Sequence, residues 1–278
     1  MPSRSLFKRR PLLSVGLSLS LALASVLPAD AATQLRIGYQ KSSTLISLLK
    51  SNGDLEKALA KQDVSISWHE FPNGQPLLEA LNVGNIDVSA DVADTVPVFA
   101  QAAGAQLTYF AQEAPSPSAQ AIIVRDDSPL RSVAELKGKK VAVTKAAGSH
   151  YLLLAALAKA GLKFSDIEPA YLTPADGRAA FENRKVDAWV TWEPFLSSAQ
   201  QQLPTRMLAD GKQLADYQRY YLTSTAFAKN NTDTAKAAPC HFTQLLKILT
   251  VKINCIGIAC SFHHTFYCAV KQLVIIYL

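Results

Sequence analysis

From Thr33 onward the chain alternates short apolar runs with helical patterns that stop at glycine, and this alternation constrains the fold more than any other feature. "QLRIGYQ" alternates like a strand, and "STLISLLKSNG" follows as a helix ending at Gly53. "VSISWHEF" and "PLLEALNVG" repeat the unit, with the helix ending at Gly84, and "IDVSADV" and "TVPVFAQAAG" repeat it again to Gly104. Strands joined by helices through short connections imply right-handed crossovers and a mostly parallel sheet covered by helices. "TYFAQE" supplies one more strand.

The two prolines of "APSPSAQ" mark a boundary, and the pattern then starts afresh. "AIIVR" reads as a strand, Ser132 and Glu135 form a capping-box pattern opening a short helix closed at Gly138, and "KKVAVT" is a strand leading into "KAAGSHYLLLAALAKAG". "EPAYLT", a helix through "DGRAAFENR", and "DAWVTW" follow, and "RYYLTSTAFA" reads as a strand returning to the first lobe. The expected organisation is α/β, with lobe one over residues 32–120, lobe two over 121–222 and a return to lobe one over 223–238. Two such lobes joined by crossing strands describe a hinged clamp with a ligand cleft.

The two ends differ from this body. Arg4, Lys8, Arg9 and Arg10 precede an apolar run, and Ala29-Asp30-Ala31 fits a small-x-small site, so residues 1–31 read as a secretory signal peptide cleaved after Ala31. Residues 239–278 carry Cys240, Cys255, Cys260 and Cys268, all the cysteines of the chain, and no acid follows Asp233. For this tail a zinc site, disulfides formed after export, a membrane-seeking segment and a non-native, frameshifted end all stay open. The formal charge of +6 comes from these ends, because residues 32–238 carry 21 basic and 21 acidic groups. A basic stripe for nucleic acid is therefore not expected.

Three strand-to-helix junctions carry polar residues: "YQKSST" (39–44), "ADVADTVP" (90–97) and "KAAGSHY" (145–151). In an open α/β sheet such loops lie together at the carboxyl ends of the strands, where ligands bind. Each helix start offers unpaired N–H groups and a positive dipole end, which suit an oxyanion, and Ser42, Ser43, Thr95 and Ser149 add hydroxyls. Plain N-capping is the competing role for each of them. "DAWVTWEPF" places Trp189, Trp192 and Glu193 at another strand end, as an apolar wall beside an acceptor or as core aromatics beside a solvated acid. Enzyme templates are not matched: the chain has no Gly-x-Ser-x-Gly elbow, His-Glu-x-x-His, phosphate-cradling loop or Cys-x-x-Cys. Ser149 and His150 are neighbours at a helix start and do not face each other, so they do not form a nucleophile–base pair.

"LRIGYQKSSTL", "SWHEFPNGQPLLEALNVGNIDVSADVADTVPVFAQAAGA", "SPLRSVAELKGKKVAVTKAAGSHYLLLAALAKAGL" and "AFENRKVDAWVTWEPF" together resemble the aliphatic sulfonate-binding proteins of ABC uptake systems. The resemblance implies a two-lobed periplasmic-binding-protein type II fold, a monomer in the periplasm, which captures an organosulfonate for sulfur uptake and passes it to an inner-membrane permease. It implies no catalytic residue, metal or cofactor. The ligand pocket it implies maps to Gln40, Lys41 and Ser42, to Asp94 and Thr95, to Gly148, Ser149, His150 and Tyr151, and to Trp192 and Glu193. Related members take taurine, aryl sulfonates or nitrate, and enzymes resembling thiamine-pyrimidine synthases share the fold, with His150 as the residue such a role would use. The likeness fades after "FAKNNTD", where family members continue with lobe-one helices, so the tail is expected to replace them and leave a receptor with compromised stability.

Overall fold

The structure, a computed structural model, describes residues 33–61, 63–232 and 274–275. The expected signal peptide and the four tail cysteines lie outside the described residues.

Leu35, Ile37 and Tyr39 alternate along β1 (Thr33–Gln40) and are all buried, which fixes the strand's register against the helices that cover it. Those helices are α1 (Thr44–Asn52) and α2 (Asp54–Ala60), which send Leu45, Ile46, Leu49, Leu55 and Leu59 into the same core. β1 pairs in parallel with β2 (Val64–Phe71) and with β3 (Val88–Ala93). On the opposite face, α3 (Gly74–Asn82) and α4 (Thr95–Ala102) bury Leu77, Leu78, Leu81 and Val96 against Val92 and Leu222. β4 (Leu107–Gln112), β10 (Arg219–Ser224) and the two-residue β11 (Val274–Ile275) complete a six-stranded sheet in the order β11-β4-β10-β3-β1-β2.

The second sheet has the order β7-β6-β8-β5-β9. It consists of β5 (Gln120–Arg125), β6 (Lys140–Val143), β7 (Glu168–Tyr171), β8 (Ala188–Trp192) and β9 (Thr205–Asp210). Leu152, Leu153 and Leu157 of α5 (Gly148–Lys159) pack on one face against Val141, Val143 and Val190. Phe181 of α6 (Pro174–Glu182) and Leu196 of α7 (Phe195–Gln202) pack on the other, around Trp189. Helices on both faces of each sheet are what the strand–helix alternation requires.

Three expectations are corrected. The sheets are mixed rather than mostly parallel: β10 runs antiparallel to β3 and β4, and β5 runs antiparallel to β8 and β9. Besides the two-residue β11, which pairs antiparallel with β4, the reversed strands are β5 and β10, each the first strand after a crossing between the sheets. The return to the first sheet begins at Arg219, earlier than the expected residue 223, because all of β10 pairs there. Finally, Val133–Leu136 is a single 3₁₀ turn in which Ser132 makes no side-chain cap; Glu135 accepts from the Arg131 N–H instead. α8 (Thr225–Thr232) then follows β10.

Candidate functional site

The two crossings, residues 113–119 and 211–218, hydrogen-bond to each other through Ser116 N–H to Asp216 O and Gly211 N–H to Pro117 O. Beside them a narrow cleft opens at the carboxyl ends of β1, β3 and β8 and the loop after β6. The first sheet and its helices supply Gln40, Ser42, Gly74, Asp91, Ala93 and Val96 to the lining. The second supplies Ala147, Gly148 and Trp192, and the returning chain supplies Tyr217 and Arg219. This is the placement that open α/β sheets give their ligand sites.

The polar floor is built on β3 and β10. Arg219 donates from Nη1 to Asp91 Oδ2 at 2.7 Å and to the Ser42 carbonyl at 3.4 Å, and from Nη2 to Glu113. The Tyr221 hydroxyl donates to Glu113 Oε1 at 2.7 Å. Burial pushes the Asp91 carboxyl up to about 7, against the attraction of Arg219, and Glu113 pushes it further. Burial alone would depress the Arg219 guanidinium, but Glu113 and Asp91 outweigh it and hold the pKa raised. A guanidinium between two acids carries one negative charge too many for a dry site, and a proton on Asp91 removes it. Gln40 is locked from both ends: its N–H donates to Ser43 Oγ at 3.1 Å and its side-chain amide donates to the Asp91 carbonyl at 2.8 Å.

Two helix starts lack a side-chain cap, and a third differs from them. Ala147 at the start of α5 and Ser43 at the start of α1 give no side-chain cap to their helices, and Ala147 and Gly148 face the cleft. The start of α4 is different, because Asp94 accepts from the Thr95 N–H at 2.9 Å and so places an acid where an anion would sit. Burial raises the Asp94 carboxyl, with the N–H groups of Gln218 and Thr95 opposing. Gly148 is needed for close approach: a Cβ there would lie 2.8 Å from the Tyr217 ring and 2.9 Å from Ala93 Cβ. Trp192, Tyr217 and Ala147 form a buried apolar wall, with Phe195 edge-on to Trp192 at 5.8 Å.

Of the residues the resemblance selected, the structure brings Gln40, Ser42, Gly148 and Trp192 to the cleft. Lys41 is exposed and pairs with Glu70 at 3.7 Å. Tyr151 is also exposed. Glu193 takes the N–H and hydroxyl of Ser197, capping α7. Thr95 and Ser149 do not line the cleft, and their hydroxyls are buried without a hydrogen-bond partner among the described residues. His150 lines a separate pocket, its Nδ1 accepting from the Ala146 N–H at 3.3 Å, and burial, followed by Lys145, lowers its pKa. Sequence reasoning missed Asp91, Tyr217 and Arg219. The available signal was charge inside apolar strand runs, "VSADV" and "RYYLTS", since buried charges must find partners. Among the described residues no group of side chains could hold a metal ion, and no helix is long and apolar enough to cross a membrane.

Two α/β lobes, each a sheet with helices on both faces, linked by two crossings beside a polar cleft, define the type II periplasmic-binding-protein fold. Solved structures agree. The alkanesulfonate-binding protein SsuA from Xanthomonas axonopodis pv. citri, bound to MOPS, is 40% identical with a TM-score of 0.73, over 82% of this chain and 74% of that one. The periplasmic aliphatic sulphonate binding protein SsuA from Escherichia coli is 44% identical with a TM-score of 0.68, over the same shares of the two chains. The chain belongs to the NMT1/THI5-like family, whose model matches residues 60–239. A relative in Escherichia coli K12, named as an aliphatic sulfonates-binding protein, is 49% identical over 213 residues, 77% of this chain. The chain spans 66% of that relative's length and 60% of a similarly named Bacillus subtilis relative that is 32% identical.

Proposed function

We propose that this chain is the solute receptor of an ABC importer, capturing aliphatic sulfonates in the periplasm for a membrane permease and catalysing no reaction. The observation that carries this reading is the 40% identity and shared fold with a protein solved with MOPS, itself an alkanesulfonate. The cleft supports it: the uncapped start of α5 and the Gly148 backbone offer N–H donors, while Trp192 and Tyr217 exclude water around them. A sulfonate is anionic throughout the physiological range, so binding by neutral N–H donors needs no unpaired cation. The receptor acts as a monomer, residues 1–31 direct export, and the crossings at 113–119 and 211–218 are the hinge between lobe one and lobe two.

Calorimetry of the full chain against methane-, ethane- and hexanesulfonate, taurine, sulfate and nitrate tests the assignment. Saturable binding of the alkanesulfonates in preference to sulfate and nitrate is expected. Preference for nitrate or taurine reassigns the ligand, and consumption of any of these compounds overturns the receptor role.

A further inference from the structure

The floor of the cleft carries a charge imbalance that an anion receptor has to resolve. Arg219 is the one cationic side chain in the cleft lining among the described residues, and it is already committed, Nη1 to Asp91 at 2.7 Å and Nη2 to Glu113. The two acid side chains are only 2% and 5% exposed, so neither shares its charge with bulk water. One guanidinium between two carboxylates sums to a full negative charge, in the place where a further anion is to bind. The uncapped starts of α1 and α5 bring about half a positive charge each. Together they match the ligand alone and leave nothing for the floor.

The groups packed around the cluster do not supply the missing charge. Tyr217 and Tyr221 on the returning chain are buried, and burial raises both phenols, which keeps them neutral. Asp94 at the start of α4 adds another acid, Ser43 ahead of α1 adds a neutral hydroxyl, and Lys41 is exposed and paired with Glu70. The two buried acids are not equivalent. Both oxygens of Glu113 accept, Oε1 from the Tyr221 hydroxyl at 2.7 Å and Oε2 from Arg219. Asp91 has Oδ2 engaged by Arg219, whereas its Oδ1 is buried without a hydrogen-bond partner among the described residues. The Ser43 hydroxyl favours the charged form of Asp91 less than burial disfavours it. A buried carboxylate oxygen without a donor is the place for a proton.

We propose that the receptor takes up a proton with its ligand: Asp91 accepts one proton from solvent as the anion enters, which neutralises the Asp91–Arg219–Glu113 floor and removes a repelling carboxylate from the cleft lining. The proposal rests on the receptor reading above and names how that same site is regulated, loading tightly in acid surroundings and weakly in alkaline ones. No bond of the ligand changes. A sulfonate does not titrate near neutral pH, so every proton counted on binding belongs to the protein.

The sign follows from the free chain, in which burial holds the Asp91 carboxyl up to about 7. Below that pH the proton is already in place, so binding takes up none and affinity is level. Above it each binding event draws a proton from the buffer, and affinity falls by up to about tenfold per pH unit.

The test is calorimetry of the full chain with hexanesulfonate at pH 6, 7 and 8. At pH 8 it is repeated in bicine and in Tris, which differ in ionisation enthalpy and carry no sulfonate. Affinity should fall at least about fivefold from pH 6 to pH 8, with more than about half a proton taken up per ligand at pH 8. The infrared difference spectrum on adding ligand at pH 8 should gain a protonated-carboxyl C=O stretch, a signature that protonation of a histidine does not give. Asp91→Asn and Glu113→Gln each leave one carboxylate facing Arg219, so in either variant that melts cooperatively the proton uptake and the pH dependence should vanish. Binding by the unmodified chain with level affinity and no proton uptake overturns the proposal and leaves the receptor reading intact. Uptake that persists in both variants, or that comes without the carboxyl band, also overturns it. Failure of hexanesulfonate and the other sulfonates to bind a cooperatively melting chain at any of the three pH values overturns the receptor reading itself.

Discussion

Arg219 stands at the entrance of β10 with one acid on each side, and the chemistry of the cleft floor follows from that single placement. Arg219→Met would leave Asp91 and Glu113 buried and unpaired, a loss of about 3–5 kcal/mol by analogy with other broken buried pairs, measurable by urea denaturation. Asp91 has its own pH signature. Its carboxyl is raised to about 7 in the folded chain, whereas an unfolded Asp titrates near 4. Between those values the folded state holds more protons than the unfolded one, so the group's contribution is full below about pH 4 and is lost as pH rises to about 7. Asp91→Asn should remove this fall, so that the stability difference between variant and parent shifts in the variant's favour from pH 4 to pH 7. Neither residue stood out in sequence, since an isolated Asp in "VSADV" and an Arg opening "RYYLTS" acquire meaning only when β3 and β10 pair. The cleft residues that were legible, Gln40, Ser42, Gly148 and Trp192, all sit at strand ends, where local pattern already says that ligands gather.

Elements were legible where apolar period and glycine stops agreed. Gly53 shows the limit: with φ of +62° it ends α1 and at once starts α2, so a residue read as a stop is also a corner. β9 and α7 escaped notice because "TRMLAD" does not alternate and "FLSSAQQQ" buries only Leu196 and Ala199. At α5 the small residues Ala147 and Gly148 at the helix start line the cleft. Gly148→Val should drive a side chain into Tyr217 and Ala93, lowering sulfonate affinity by at least tenfold in calorimetry while α5, anchored by Leu152, Leu153 and Leu157, stays folded. The helical signal by circular dichroism separates lost binding from lost structure.

The molecule joins two separately cored lobes by two short crossings, and the cleft proposed as its ligand site draws on both lobes and on the returning chain. Ligand should therefore raise the thermal midpoint, with about 2.7 kcal/mol of added stability at a concentration one hundred times Kd. Trp192, buried against Tyr217 and Ala147, should report the event: intrinsic fluorescence should change on adding hexanesulfonate, and Trp192→Phe should remove most of that change although Trp68 and Trp189 remain.

The place of β10 between β3 and β4 also sets an order of events in time. The second sheet is complete within one continuous stretch, from Gln120 to Asp210, whereas the first cannot close until Arg219 meets Asp91 across 128 positions of sequence. Closing the longer loop carries the larger entropy cost and is the slower step. In refolding followed by pulsed hydrogen exchange, amides of Ile122–Val124 and Val141–Val143 should become protected before those of Val88–Val92. The cleft floor thus comes into existence after the second sheet, and with it the proposed capacity to bind, when β10 docks between β3 and β4.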